Sequence, residues 1–235
     1  MPVYYLGEDI VFPPAEHSDP DGILAVGGDL SPERLLLAYS SGIFPWYSSE
    51  TPIIWWSPDP RFVVYPSEVK ISKSMKQVLR RETFDIKFDT SFREVITACS
   101  GKRKREKGTW ITAEMIEAYV VLHKLGFAHS IEAWHDGKLA GGLYGVSLGG
   151  MFFGESMFSR ESNASKAAFI VLADNLLRLG FDLIDSQVHT EHMESLGAIE
   201  MDREFFLDLV KKSVRRDTIR GNWGDNPLFK TEVGF

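Results

Sequence analysis

Hydrophobic positions along this 235-residue chain change their period several times, and each change marks an element. In "LSPERLLLAYSSG" a helical pattern opens behind Ser31 as N-cap and Pro32 at the first helical position, and Gly42 stops it. Residues 68–100 read as a helix, a short strand ("FDIKF") and a second helix. A further helix starts at Thr112 and stops at Gly126, with Met115, Ile116, Tyr119, Leu122 and Leu125 as its core face. The stretch "HSIEAWHDGKLAGGLYGVSLGGMFFGESMFS" is a three-stranded antiparallel meander, turned at Asp136-Gly137 and at Gly149-Gly150. Next, "NASKAAFIVLADNLLRLG" is apolar nearly all round, which predicts a helix covered on more than one side. A strand "FDLIDSQV", a short helix "EHMESLGA" and an amphipathic helix "DREFFLDLVKKSVRR" complete the pattern.

Meander, buried helix, strand and helix make an α+β layer architecture with a mostly antiparallel sheet, in an order that resembles the acetyltransferase (GNAT-like) fold. Residues 1–66, rich in Pro, Gly and aromatics, form a small N-terminal domain in this reading, and 67–235 the acyltransferase-like domain. Topology of this kind assigns no function by itself.

Composition narrows the field. The net charge of −7 argues against indiscriminate nucleic-acid binding, yet "KRKREK" at 102–107 and the helical trio Lys73, Lys76 and Arg80 are local basic patches. The longest clean apolar run, "AAFIVLA" at 167–173, is too short for a bilayer. No secretory signal is visible, so a cytoplasmic location is expected. The single cysteine, Cys99, reads as a buried inert thiol.

Of six histidines only His189 and His192 are close, without HExxH or CxxC spacing, so no metal is expected. No GxSxG elbow, GxxxxGK[ST] loop or GxGxxG turn before a helix is present. Between Ser156 and Leu179 there is no glycine, so the glycine-rich cradle that holds the pyrophosphate of CoA in acetyltransferases is hard to build. Glu155, Asp185 and Gln187 stand out as polar groups on apolar strands, and period-two alternation puts Asp185 and Gln187 on one face.

The motifs "GILAVGGDLSPERLLLAYSSGIFPW", "IIWWSPDPR", "GTWIT", "GGLYGVSLGGMFFGESMFS", "NASKAAF", "DSQV" and "SLGA" together resemble the bacterial leucyl/phenylalanyl-tRNA–protein transferase family, from about residue 20 to 207. The resemblance implies transfer of Leu or Phe from aminoacyl-tRNA to the N-terminal Arg or Lys of a protein, marking it for degradation. It implies that Tyr39, Trp46 and Trp110 hold the terminal adenosine and cap the aminoacyl pocket, where stacking on an aromatic face contributes about 1–3 kcal/mol per base. Trp55 and Trp56 are as consistent with plain packing. Leu143, Met157, Phe169, Leu172 and Leu176 would line the pocket for the Leu or Phe side chain, and an all-apolar lining should also accept Met.

In the same resemblance Asp185 and Gln187 are the catalytic pair and Glu155 offers charge to the cationic acceptor. A neutral amide is no proton acceptor at this pH, so Gln187 is expected to accept a hydrogen bond from the attacking amine through its carbonyl oxygen, with Asp185 orienting it and favouring the ammonium as it forms. Lys73, Lys76, Arg80, Lys102, Arg103, Lys104 and Arg105 are expected along the tRNA backbone. A monomer with no cofactor is expected. The alternatives are a CoA-dependent N-acyltransferase and a non-catalytic aminoacyl-tRNA-binding protein.

Overall fold

A computed structural model describes residues 3–101 and 110–233. Its strands form two sheets. The smaller holds β1 (Tyr4–Leu6), β2 (Ile23–Gly27), β3 (Phe44–Pro45) and β4 (Ile54–Trp56), in the order β1-β2-β4-β3. Between β2 and β3 lies α1 (Pro32–Ser40), where the Ser31 hydroxyl accepts from the Arg34 N–H. Gly42 leaves the helix at φ +72, a value that favours glycine. Trp55 is fully buried, donates its indole N–H to the Gly27 carbonyl at 2.9 Å and meets the edge of Phe12, so for this ring the packing reading holds.

The larger sheet has seven strands. They are β5 (Arg61–Val64), β6 (Asp85–Phe88), β7 (Ala128–His135), β8 (Lys138–Leu148), β9 (Met151–Ser159), β10 (Leu183–Gln187) and β11 (Ile199–Met201). Their order is β11-β5-β10-β9-β8-β7-β6. Strands β7 to β9 run antiparallel as the turn residues dictate, and β6 adds antiparallel to β7 across two intervening helices, whereas β10 lies parallel to β9 and is reached through α5 (Ala164–Arg178). The order of meander, helix and strand is the α+β order expected from the sequence, and the parallel pairing of the last strand is what the structure adds. Arg61–Val64, which precede the expected boundary at 66, pair with β10 and β11 inside this larger sheet.

Short helices α2 (Lys73–Arg80), α3 (Phe92–Cys99) and α4 (Ala113–Lys124) fall where the sequence places them, α2 and α4 capped by the Ser72 and Thr112 hydroxyls. Met115, Tyr119 and Leu122 are buried on α4, but Ile116 is half-buried and Leu125 is 42% exposed. At about 100° per residue those two lie roughly 90° to either side of the buried stripe, and the next residue in line is Gly126. Helix α5 is apolar all round because the sheet covers one side and the C-terminal tail another. Asn175 on α5 is itself buried, donating to the Lys230 carbonyl and accepting from the Lys230 N–H. The last elements are α6 (Glu191–Ser195) and α7 (Arg203–Ser213).

A buried polar cluster ties the tail to the sheet. Asp89 accepts from the N–H groups of Trp223 and Ser130 and bonds His129 Nδ1 at 2.8 Å, while the Trp223 ring stacks on His129 at 3.7 Å. Beside it, burial pushes the Glu132 carboxyl up to about 7, against the pull of the Ser130 and Thr90 hydroxyls that donate to it. A carboxyl raised in the folded state stabilises fully below its unfolded value near 4.5 and loses that contribution as pH rises through about 7. Glu132→Gln is therefore expected to flatten the fall in unfolding free energy between pH 5 and 8 by on the order of 3 kcal/mol, measured by urea denaturation. An unchanged slope would mean that Glu132 ionises alike in both states.

Candidate active site

The site arises where two parallel strands part. The β9–β10 ladder ends at Phe153 opposite Asp185, and beyond that point both strands bulge. On β9, Tyr144 pairs with Ser156 and Gly145 with Gly154, so Glu155 is the extra residue. On β10, Asp185 pairs with Val63 and Gln187 with Phe62, so Ser186 is extra. A bulge bends its strand and re-aims side chains. Simple alternation therefore fails between Asp185 and Gln187, and Gln187 takes φ +65 rather than an extended value. The two remain joined by another route, the Gln187 N–H donating to Asp185 Oδ1 at 2.9 Å.

Asp185 is fully buried and forms a two-pronged ion pair with Arg61, Nε to Oδ1 at 2.8 Å and Nη2 to Oδ2 at 2.6 Å. Glu155 Oε1 accepts from the Tyr39 hydroxyl at 2.7 Å and from Gln187 Nε2 at 2.8 Å, and Oε2 accepts from the Tyr119 hydroxyl at 3.0 Å. The two tyrosine hydroxyls also bond each other. Burial lifts the Glu155 carboxyl to about 7, and these three donors hold it from going higher. Burial, then the Glu155 charge, raises both tyrosines well above their ordinary value, so they remain donors at neutral pH. Because Gln187 gives its amide N–H to Glu155, its carbonyl oxygen is left for another partner.

Of these groups, Glu155 and Gln187 border a cavity of about 570 Å³. Phe44, Trp46 and Trp110 contribute to its wall, as do Leu143, Phe152, Met157, Phe169 and Ile184, together with Glu155, Ser186, Gln187, His189 and His192. Trp46 is 38% exposed and is braced by Trp56, whose ring lies 5.5 Å away and whose indole N–H donates to the Trp46 carbonyl.

The sequence profile described as "Leucyl/phenylalanyl-tRNA protein transferase" matches residues 63–211, and the profile of that protein's N-terminal domain matches 28–59. The leucyl/phenylalanyl-tRNA–protein transferase of Syntrophus aciditrophicus is 59% identical over 228 residues, covering 97% of this chain and 95% of that protein. The protein of the same name from Syntrophobacter fumaroxidans is 55% identical over 215 residues, 91% of this chain and 92% of that one. This chain belongs to the leucyl/phenylalanyl-tRNA–protein transferase family.

Among solved structures, a GCN5-related N-acetyltransferase-like protein from Streptococcus suis overlaps 76% of the chain, and 67% of its own, at 18% identity and a TM-score of 0.33. L-PGS from Bacillus licheniformis overlaps 85%, and 66% of its own, at 15% identity and 0.37.

For this member of the transferase family, the residues expected from the sequence divide as follows. Trp46, Trp110, Leu143, Met157, Phe169, Glu155 and Gln187 all border the cavity. Asp185 stands behind Gln187. Tyr39 is fully buried behind Glu155 and does not line the cavity, so it supports the carboxyl instead of facing a ligand. Leu172 and Leu176 are core residues outside the lining. The cavity abuts Ser165 and Phe169 on α5, and at 1.5 Å rise per residue the two leucines lie farther along the axis, about 4.5 and 10.5 Å beyond Phe169. Lys73, Lys76 and Arg80 are exposed on α2. Lys102, Arg103, Lys104 and Arg105 lie outside the described residues.

Arg61 and Tyr119 are the partners sequence reasoning missed. Arg61 closes the motif "IIWWSPDPR" and opens the apolar run "RFVV", where a lone cation implies a buried carboxylate beside it. Tyr119 sits on the core face of α4, and its hydroxyl required a buried partner. His189 turns to Glu194 at 3.2 Å and edges Phe62, while burial lowers His192 in the cavity wall.

Proposed function

We propose that this protein transfers Leu, Phe or Met from aminoacyl-tRNA to the N-terminal Arg or Lys of acceptor proteins, forming a peptide bond and marking them for degradation. One observation carries the proposal. A single cavity, of a volume ordinary for small-ligand sites, combines two indole rings, an apolar wall and a buried Gln187–Glu155 pair. In this reading Trp46 and Trp110 stack on the terminal adenosine, and Leu143, Phe152, Met157, Phe169 and Ile184 receive the side chain by size and shape.

The chemistry is aminolysis of an ester. The acceptor α-amine attacks the ester carbonyl, the C–N bond forms, the C–O bond to the ribose breaks, and the ribose oxygen leaves with the proton that the nitrogen sheds. A free α-amine has a pKa of about 7.7–8.0, so a useful neutral fraction exists at neutral pH and placement dominates the rate. Gln187 accepts from the attacking amine through its carbonyl oxygen. The Glu155 carboxylate, one hydrogen bond away, favours the ammonium as it forms and attracts a cationic acceptor through its field. Its two oxygens already receive three donors, so direct capture of an Arg or Lys side chain is the lesser part of its role.

Lys73, Lys76, Arg80, Lys102, Arg103, Lys104 and Arg105 are proposed as contacts to tRNA phosphates, which would position the acceptor stem without reading its sequence. No cofactor is needed for this step. Among the described residues no helix is long and apolar enough to cross a membrane. The deciding experiment incubates the protein with radiolabelled Leu-tRNA and an Arg-initiated protein. Label in the protein is the expected result. Label retained on tRNA, with or without binding, would overturn the reading.

A further inference from the structure

We infer that Arg61 is a positioning residue of the transfer reaction, acting through Asp185 on the main chain of Gln187; the inference rests on the transferase reading. The guanidinium is fully buried between two rings, 4.6 Å from the centroid of Phe44 and 4.6 Å from that of Phe206, and its Nη1 donates to the Gly42 carbonyl. It is held from α7 on one side and from the N-terminal sheet on the other. Asp185 is fixed to this post by both carboxylate oxygens, and the oxygen that receives Arg61 Nε also receives the Gln187 N–H.

The main-chain bond matters because Gln187 stands at φ +65, a conformation an L-residue with a side chain adopts only when its surroundings impose it. Left-handed backbone at the bulge sets the direction in which the Gln187 side chain leaves the strand. The amide then meets Glu155 and keeps its carbonyl oxygen for the amine. Asp185 therefore holds a backbone shape. With three directional bonds already on it and a permanent cation against it, this carboxylate has no call to take the proton of the attacking amine.

Two variants test the clamp in single-turnover transfer of labelled Leu from tRNA to an Arg-initiated peptide. Arg61→Lys keeps the charge but loses the planar two-pronged fit, and its kcat is expected to fall about 10- to 100-fold, the cost of a misplacement near 1 Å. Its KM for aminoacyl-tRNA should stay within roughly threefold, since Arg61 itself does not line the cavity. The second variant combines Arg61→Met with Asp185→Leu, replacing a buried ion pair by apolar groups, an exchange that proteins often tolerate in stability. This double variant is expected to melt close to the unaltered protein and yet to lose kcat at least as far as Arg61→Lys, because the Gln187 N–H has lost its acceptor.

Wild-type kcat in either folded variant, or a loss confined to KM, would overturn the clamp. Should the double variant not fold, Arg61→Lys decides alone. Failure of the unaltered protein to transfer label is a separate result, which overturns the transferase reading and the clamp with it.

Discussion

Gln187→Ala is expected to lower the rate of transfer by about 10²- to 10³-fold at saturating substrates, the usual cost of deleting one aligned hydrogen-bonding group at a reacting centre. The aminoacyl-tRNA should still bind, because the indole rings and the apolar wall are separate from this side chain. The loss comes from two sources. The amine loses the carbonyl oxygen that aligns it, and Glu155 loses one of its three donors, so its proton is held more tightly. Single-turnover rates with labelled Leu-tRNA and an Arg-initiated peptide measure the first. Near-normal transfer by the alanine variant would remove Gln187 from the mechanism.

The second large effect concerns pH. Glu155 has its carboxyl at about 7, and the acceptor amine has its own near 7.7–8.0. If reaction needs both the ionised carboxylate and the neutral amine, kcat/KM must rise with pH through both ionisations. Well below pH 7 its logarithm should then climb with a slope near 2. Glu155→Gln cannot ionise and should leave a slope near 1, set by the amine alone. At pH 8 the variant should be slower by about 10- to 100-fold, since a neutral amide does little for the developing ammonium. Equal slopes in the two proteins would show that the charge of Glu155 plays no part.

Much of this site could be read from the chain. The capped helices α1, α2 and α4 and the meander were legible because each rests on local signals, a hydroxyl at the cap or a glycine at the turn. Glu155, Asp185 and Gln187 were legible as polar residues on apolar strands, where burial demands partners. Their joining was not, because two bulges make it and bulges follow from sheet geometry more than from composition. Gly154 beside Glu155 was the one available hint, since glycine inside a strand often marks a bulge. Tyr39, Leu172 and Leu176 show the opposite limit. Leu172 and Leu176 share the α5 face of Phe169, but a face says nothing of how far along the helix the cavity extends, and Tyr39 meets the site only through Glu155. Arg61 was hidden for a third reason. Its partner lies 124 positions away, and pairing at that distance leaves no periodic trace.

The strand that carries Arg61 has a practical consequence for anyone trimming the chain. Since β5 is flanked by β10 and β11, a fragment begun at residue 67 would have a slot just inside the edge strand of its main sheet. Asp185 would lose its Arg61 partner, and two ladders of backbone bonds would stand open. The amino-terminal third thus cannot be cut away or exchanged as a cassette while chemistry continues in what is left.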